Sequence, residues 1–139
     1  VLIGAREDEI KALKDFGHDL GIAFQIMDDV LDLIGDASQV GKPVAHDLRE
    51  GIVTLPVIDY LLMQPDDRRV DEMLNAGWRD DAHVLPIVEA VRASGAIDRA
   101  MSEARSYVRG AREALGHLPD SEARQAMLDL AEYVVARSY

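Results

Sequence analysis

The sequence contains no cysteine, which removes disulfides, thiolate zinc sites and cysteine nucleophiles from consideration. That fits a reducing compartment, and a cytoplasmic location is the expectation. Basic residues are scarce: 15 Lys and Arg stand against 26 Asp and Glu, a formal net charge of −11. So acidic a chain repels phosphate backbones, and nucleic-acid binding is not expected. Long apolar runs are missing as well. Nothing approaches the ~18 residues of a membrane span, and no signal peptide is visible. Period-two alternation, the mark of a half-buried strand, is nowhere convincing. An initiator methionine is also absent, since the chain opens Val1-Leu2-Ile3-Gly4. The expectation drawn from that start is a piece cut from a longer gene product.

What is present is helical patterning. Hydrophobic residues make up 48% of the 139 residues, too many for a disordered acidic tail, and the length suits one domain. Ile10, Leu13, Phe16, Leu20, Phe24, Met27 and Leu31 recur at spacings of three and four. This stripe predicts an amphipathic helix from Glu9 to about Leu33. Residues 35–50 turn irregular and read as a loop, of the length that tends to be functional. Thr54 is a candidate N-cap for a helix to Met63, with Pro56 in the first turn where proline is tolerated. Further helices are predicted over Arg68–Ala76, stopped by Gly77, over Ala82–Ser94, capped by Asp80 or Asp81, and over Ile97–Leu115. The last runs from Glu122 to about Arg137, after a Leu118-Pro119-Asp120 turn. The fold class is all-α.

One helical face carries chemistry. Asp28 and Asp32 stand four apart on one face, Gln25 lies three before Asp28, and Asp29 sits about 100° round on its rim. Like charges four apart repel by about 0.2–0.5 kcal/mol even when exposed, and a divalent cation reverses that penalty. Carboxylate oxygens suit hard ions, and Mg²⁺ takes one or two of them with waters and substrate phosphates. On spacing alone a solvated acidic face accounts for the pattern as well as a metal does. Gly17 and Gly21 each cost about 1 kcal/mol inside a helix relative to alanine, which points to a ligand or another helix approaching closely. An EF-hand and a P-loop are both excluded by their missing glycines and spacing. Lys42, in Gly41-Lys42-Pro43, suits a phosphate as a point charge or is a plain surface lysine. His18, His46, His83 and His117 have no metal-ligand spacing, and Trp78 and the tyrosines show no stacking pattern with basic neighbours.

Taken together, Gly21-Ile22-Ala23-Phe24-Gln25-Ile26-Met27-Asp28-Asp29-Val30-Leu31-Asp32 and the block from Gly41-Lys42-Pro43 through Asp47-Leu48-Arg49-Glu50-Gly51 to Thr54-Leu55-Pro56 closely resemble one family. They match the second aspartate-rich motif, and the loop after it, of the trans-isoprenyl diphosphate synthases, the polyprenyl synthetase family. Ser94-Gly95-Ala96-Ile97, Leu118-Pro119 and Leu130 to Arg137 resemble the C-terminal helices of its bacterial members. The resemblance implies the C-terminal portion of the isoprenoid synthase helical bundle over residues 1–139, with the N-terminal half absent. It implies a parent prenyltransferase that condenses isopentenyl diphosphate onto an allylic diphosphate, head to tail, with Mg²⁺ assisting ionisation. By the same resemblance Asp28 is the leading Mg²⁺ ligand, and Asp29 and Asp32 complete the metal site. Asp28 and Lys42 are the catalytic residues, and Phe24, Gln25, Lys42 and Asp47 contact substrate.

Two departures follow. Ile52 stands where many members carry a second diphosphate-binding lysine. The family's first aspartate-rich motif and its isopentenyl diphosphate-binding residues have no counterpart in this sequence. The isolated chain is therefore expected to be inactive, and to form a homo-oligomer or pair with the missing N-terminal half, because exposed apolar faces associate. A non-catalytic or regulatory subunit of a heteromeric synthase and an acidic helical interaction domain are the alternatives.

Overall fold

The computed structural model describes residues 4–35 and 44–136, and every regular element among them is helical. In chain order these are α1 (Glu7–Ile34), α2 (His46–Glu50), α3 (Leu55–Met63), α4 (Arg69–Ala76), α5 (Asp81–Ala93), α6 (Ala96–Leu115) and α7 (Glu122–Ala136). No described helix is long and apolar enough to cross a membrane. The described residues divide into two compact units: Asp28–Met101, and residues 4–27 together with 102–136.

Capping sets where the helices begin. The Glu9 carboxylate reaches back to the Arg6 N–H (2.9 Å), and Glu7, Asp8 and Glu9 crowd the first turn of α1, where the helix dipole favours acids. The helix thus opens two residues earlier than the apolar stripe predicts. Asp80 caps α5 by accepting the Ala82 N–H (3.0 Å). Thr54 does not cap α3 with its hydroxyl; it sits extended before Leu55, and Pro56 brings no N–H that needs a partner. The largest difference from the predicted elements is α2. Five residues that read as loop form a helix, since Leu48 anchors it in the core and Gly51, at φ 84°, ends it by donating to the Asp47 and Leu48 carbonyls.

The core of the Asp28–Met101 unit joins Leu33, Ala45, Leu48, Val57, Tyr60, Val70, Met73, Val84, Ile87, Val88 and Val91. A polar cluster sits beside it. The buried Tyr60 hydroxyl donates to Asp67, whose carboxylate also takes the Arg69 N–H (3.0 Å) and the Arg69 guanidinium (2.6 Å), while Arg69 reaches the Pro86 carbonyl (3.1 Å). The Arg69 guanidinium first and the Tyr60 hydroxyl second hold the Asp67 carboxyl well below the usual carboxylate range. Burial and the adjacent Asp67 raise the Tyr60 hydroxyl. Asp59, also buried, faces Arg99 at 3.4 Å.

In the other unit Ala12, Phe16, Ala104, Val108, Ala111, Leu115, Ala131 and Val134 are buried. Asp19 of α1 comes so near α6 at Gly110 that a Cβ there would lie 2.6 Å from its carboxylate. Arg124 of α7 donates to the Leu115 carbonyl (2.8 Å) that ends α6. Beyond the local backbone of α1 itself, no described atom lies within 4 Å of where a Cβ on Gly17 or Gly21 would stand, so the close neighbour that those glycines lead one to expect is not among the described residues.

Candidate functional site

The acidic face lies on the C-terminal half of α1, and what holds that helix end is unusual. Its last turn carries no basic residue of its own, yet exposed C-terminal carbonyls need partners. Arg92 of α5 supplies one, donating from Nε to the Leu33 carbonyl (2.8 Å). Leu33 beneath it is fully buried. The helix segment bearing Asp28, Asp29 and Asp32 is therefore fixed by both apolar packing and a guanidinium from 59 residues away.

Helical spacing puts Asp28 and Asp32 on one face, both half-buried. Asp29 is different: at 9% exposure it is turned into the protein rather than sitting on the rim. Asp32 has a structural task. One of its carboxylate oxygens accepts the His46 N–H (3.0 Å) and the other the Asp47 N–H (3.1 Å), and its backbone carbonyl takes the Ala45 N–H (2.9 Å). A carboxylate from α1 thus meets the first amides of α2, where the positive end of the peptide dipoles favours it. Between these bonds Ala45 lies in the left-handed region (φ 58°, ψ 47°), the sole non-glycine residue described there, and it is fully buried. That conformation costs alanine roughly 1–2 kcal/mol and persists where surrounding bonds over-determine it.

Asp47 is half-buried beside this arrangement, and its amide belongs to it. Phe24 and Gln25 precede Asp28 by four and three residues on the same helix, both exposed, Phe24 at 44%. Lys42 lies outside the described residues. Among those described, no three His, Asp or Glu side chains converge as a ready-made cation cage. The donor set is still one that a hard cation accepts, because Mg²⁺ keeps several waters and takes only one or two carboxylates alongside phosphate oxygens.

Residue patterns alone missed two groups in this region. Arg49 bridges the start of α2 to the α4–α5 turn, donating to the Val44 (3.0 Å) and Arg79 (2.9 Å) carbonyls. Arg92 ends α1. Neither carries a local signal, since each partner is distant in sequence or is a backbone atom. Trp78 stacks on His83 with ring centroids 4.1 Å apart, a contact formed across the turn between α4 and α5.

Known proteins resemble this chain in both sequence and fold. The family model described as polyprenyl synthetase matches residues 1–91. The short chain isoprenyl diphosphate synthase of Methanothermobacter thermautotrophicus is 37% identical over all of this chain and 43% of its own length. Heptaprenyl diphosphate synthase component 2 of Geobacillus stearothermophilus is 40% identical over 98% of this chain and 42% of its own length. The crystal structure of a Caulobacter crescentus polyprenyl synthase, complexed with calcium and isoprenyl diphosphate, superposes with a TM-score of 0.87 at 31% identity, over 96% of this chain and 42% of that one. The chain spans about two-fifths of the length of these relatives and aligns with their C-terminal portion. On both sequence and structure, the chain belongs to the polyprenyl synthetase family.

Proposed function

We propose that this chain is the C-terminal part of a polyprenyl synthetase domain, and that its parent condenses isopentenyl diphosphate with an allylic diphosphate. The observation that carries the reading is the Asp28–Asp32 face, with Asp32 holding the Asp47 segment by two backbone amides, in a chain of this family. When bound, a divalent cation, Mg²⁺ in this reading, neutralises charge on the departing diphosphate as a Lewis acid. Asp28 is the leading ligand and Asp32 shares its face, while Asp29, turned inward, completes the metal site from behind. Asp32 also orients Asp47, which orders water, and Lys42 offers a compact charge to the diphosphate. Phe24 and Gln25 lie beside the allylic chain. The Caulobacter relative, complexed with calcium and isoprenyl diphosphate, supports the pairing of a divalent ion with a diphosphate ligand.

Titration with inorganic pyrophosphate by calorimetry tests the reading. Binding is expected only with Mg²⁺ present and at least tenfold weaker in Asp28→Ala. Binding indifferent to both Mg²⁺ and Asp28 overturns it. The chain alone, given Mg²⁺, isopentenyl diphosphate and farnesyl or geranyl diphosphate, is expected to form no elongated product, because the family's first aspartate-rich motif has no counterpart in it. Product above a no-protein control refutes that expectation. A second reading, one component of a two-chain synthase, is favoured by the name of the Geobacillus relative. A parent chain that turns over without a partner excludes it.

A further inference from the structure

Arg49 is engaged as fully as Arg69 but lies deeper, and its partners are mostly backbone. Its side chain is only 16% exposed, and all three guanidinium nitrogens are engaged. Nε donates to the Val44 carbonyl (3.0 Å), Nη1 to the Arg79 carbonyl (2.9 Å) and Nη2 to Asp81 Oδ1 (2.5 Å). The first acceptor directly precedes Ala45, the residue held in the left-handed region; the second lies in the turn leading into α5, and the third, Asp81, is the first residue of α5. Asp32 grips the same short segment from α1 through the His46 and Asp47 amides. The segment is thus clamped twice, by a carboxylate on its N–H groups and by a guanidinium on a carbonyl. Left-handed alanine does not hold itself there. The planar fork of arginine reaches three acceptors in different directions at once, which a lysine ammonium on its flexible stem does not reproduce.

We propose that Arg49 is a positioning residue for diphosphate binding: by tying Val44 to the α4–α5 turn, it holds Ala45 to Asp47 in the register at which Asp47 serves the metal–diphosphate group. The inference rests on the reading given under Proposed function. It assigns Arg49 no contact with ligand.

The test compares Arg49→Lys, Arg49→Ala and Asp81→Asn in the 139-residue chain, with inorganic pyrophosphate and Mg²⁺ as the probe. Calorimetric affinity is expected to fall at least fivefold in Arg49→Lys and further in Arg49→Ala. It should stay within twofold in Asp81→Asn, which keeps both carbonyl bonds. Emission from Trp78, the single tryptophan, stacked on His83 beside Arg79, reports without ligand whether the turn stays folded. Affinity lost in Arg49→Lys with Trp78 emission and unfolding midpoint unchanged supports positioning. Parallel loss of all three assigns Arg49 to folding and overturns the proposal. If Arg49→Ala does not fold, Arg49→Lys against Asp81→Asn decides. Wild-type binding with Arg49→Lys unaltered overturns this proposal alone; a wild-type chain without Mg²⁺-dependent binding overturns the functional reading and the proposal with it.

Discussion

Replacing Asp32 by alanine separates a structural carboxylate from a metal-binding one, because its structural effect needs no metal. The side chain accepts two backbone N–H groups, from His46 at 3.0 Å and Asp47 at 3.1 Å. Removing a capping side chain costs about 0.5–2 kcal/mol. His46 is exposed, so water replaces its lost bond and the loss lies at the low end. Asp47 is half-buried and lies nearer the upper end, so the two together come to about 2 kcal/mol. The strained Ala45 just before these bonds then loses one of its two clamps, which adds to the opening of α2. Amide hydrogen exchange reads this locally and does not require the two units to unfold together. Without metal, Asp32→Ala is expected to accelerate exchange at His46 and Asp47 by about thirtyfold, since every 1.4 kcal/mol is tenfold. Asp32→Asn keeps one carbonyl oxygen and should cost roughly half as much, about fivefold in exchange. Leu48, on the same helix but buried in the core, should follow both amides. Exchange at His46 and Asp47 within twofold of wild type in Asp32→Ala would refute the reasoning, leaving Asp32 with no part in holding α2.

Acid should unfold the Asp28–Met101 unit partly through Asp67, whose folded carboxyl titrates below its unfolded value of about 3.9. The sign follows: its contribution is complete above that value and is lost as pH falls through the folded one, so Asp67→Asn should flatten the acid limb of the stability–pH curve, and a limb of unchanged slope contradicts it. Leu48→Ala removes a side chain exposed by only 2% and is expected to cost about 2–5 kcal/mol in urea unfolding, whereas Leu62→Ala, at 72% exposure, should stay within about 0.5 kcal/mol; equal effects would mean the core is misplaced. Tyr60→Phe deletes the hydroxyl donated to Asp67 and should cost about 1 kcal/mol, with most of that cost absent when Asp67 is already Asn, a double-mutant cycle that fails if the two losses simply add.

The helices were legible in the sequence because a period near 3.6 is a local property. Ile10 through Leu31 announces α1 without reference to the rest of the chain, and Gly77 marks the end of α4. The acidic face was legible for the same reason: Asp28 and Asp32 share a side of any helix that contains them. The family was readable too, since its motif is a contiguous string of residues. Periodicity says nothing about depth, however, and Asp29, one position from Asp28, proved to be buried. Nor does it reach across the chain. Five residues are too few to show a period, so α2 is a helix only because Leu48 finds a core, Asp32 finds its amides and Gly51 ends it. Arg92 on the last turn of α1 and Arg49 on the Arg79 carbonyl are pairings of groups that acquire meaning only when distant backbone is brought within about 3 Å, the length of a hydrogen bond. An all-α chain with a carboxylate face of a recognisable family can be read from residue order; which carboxylate is turned inward, which one holds the chain and which guanidinium fixes the segment beside it follow from the folded chain, because burial and hydrogen bonding are properties of neighbours in space rather than in order.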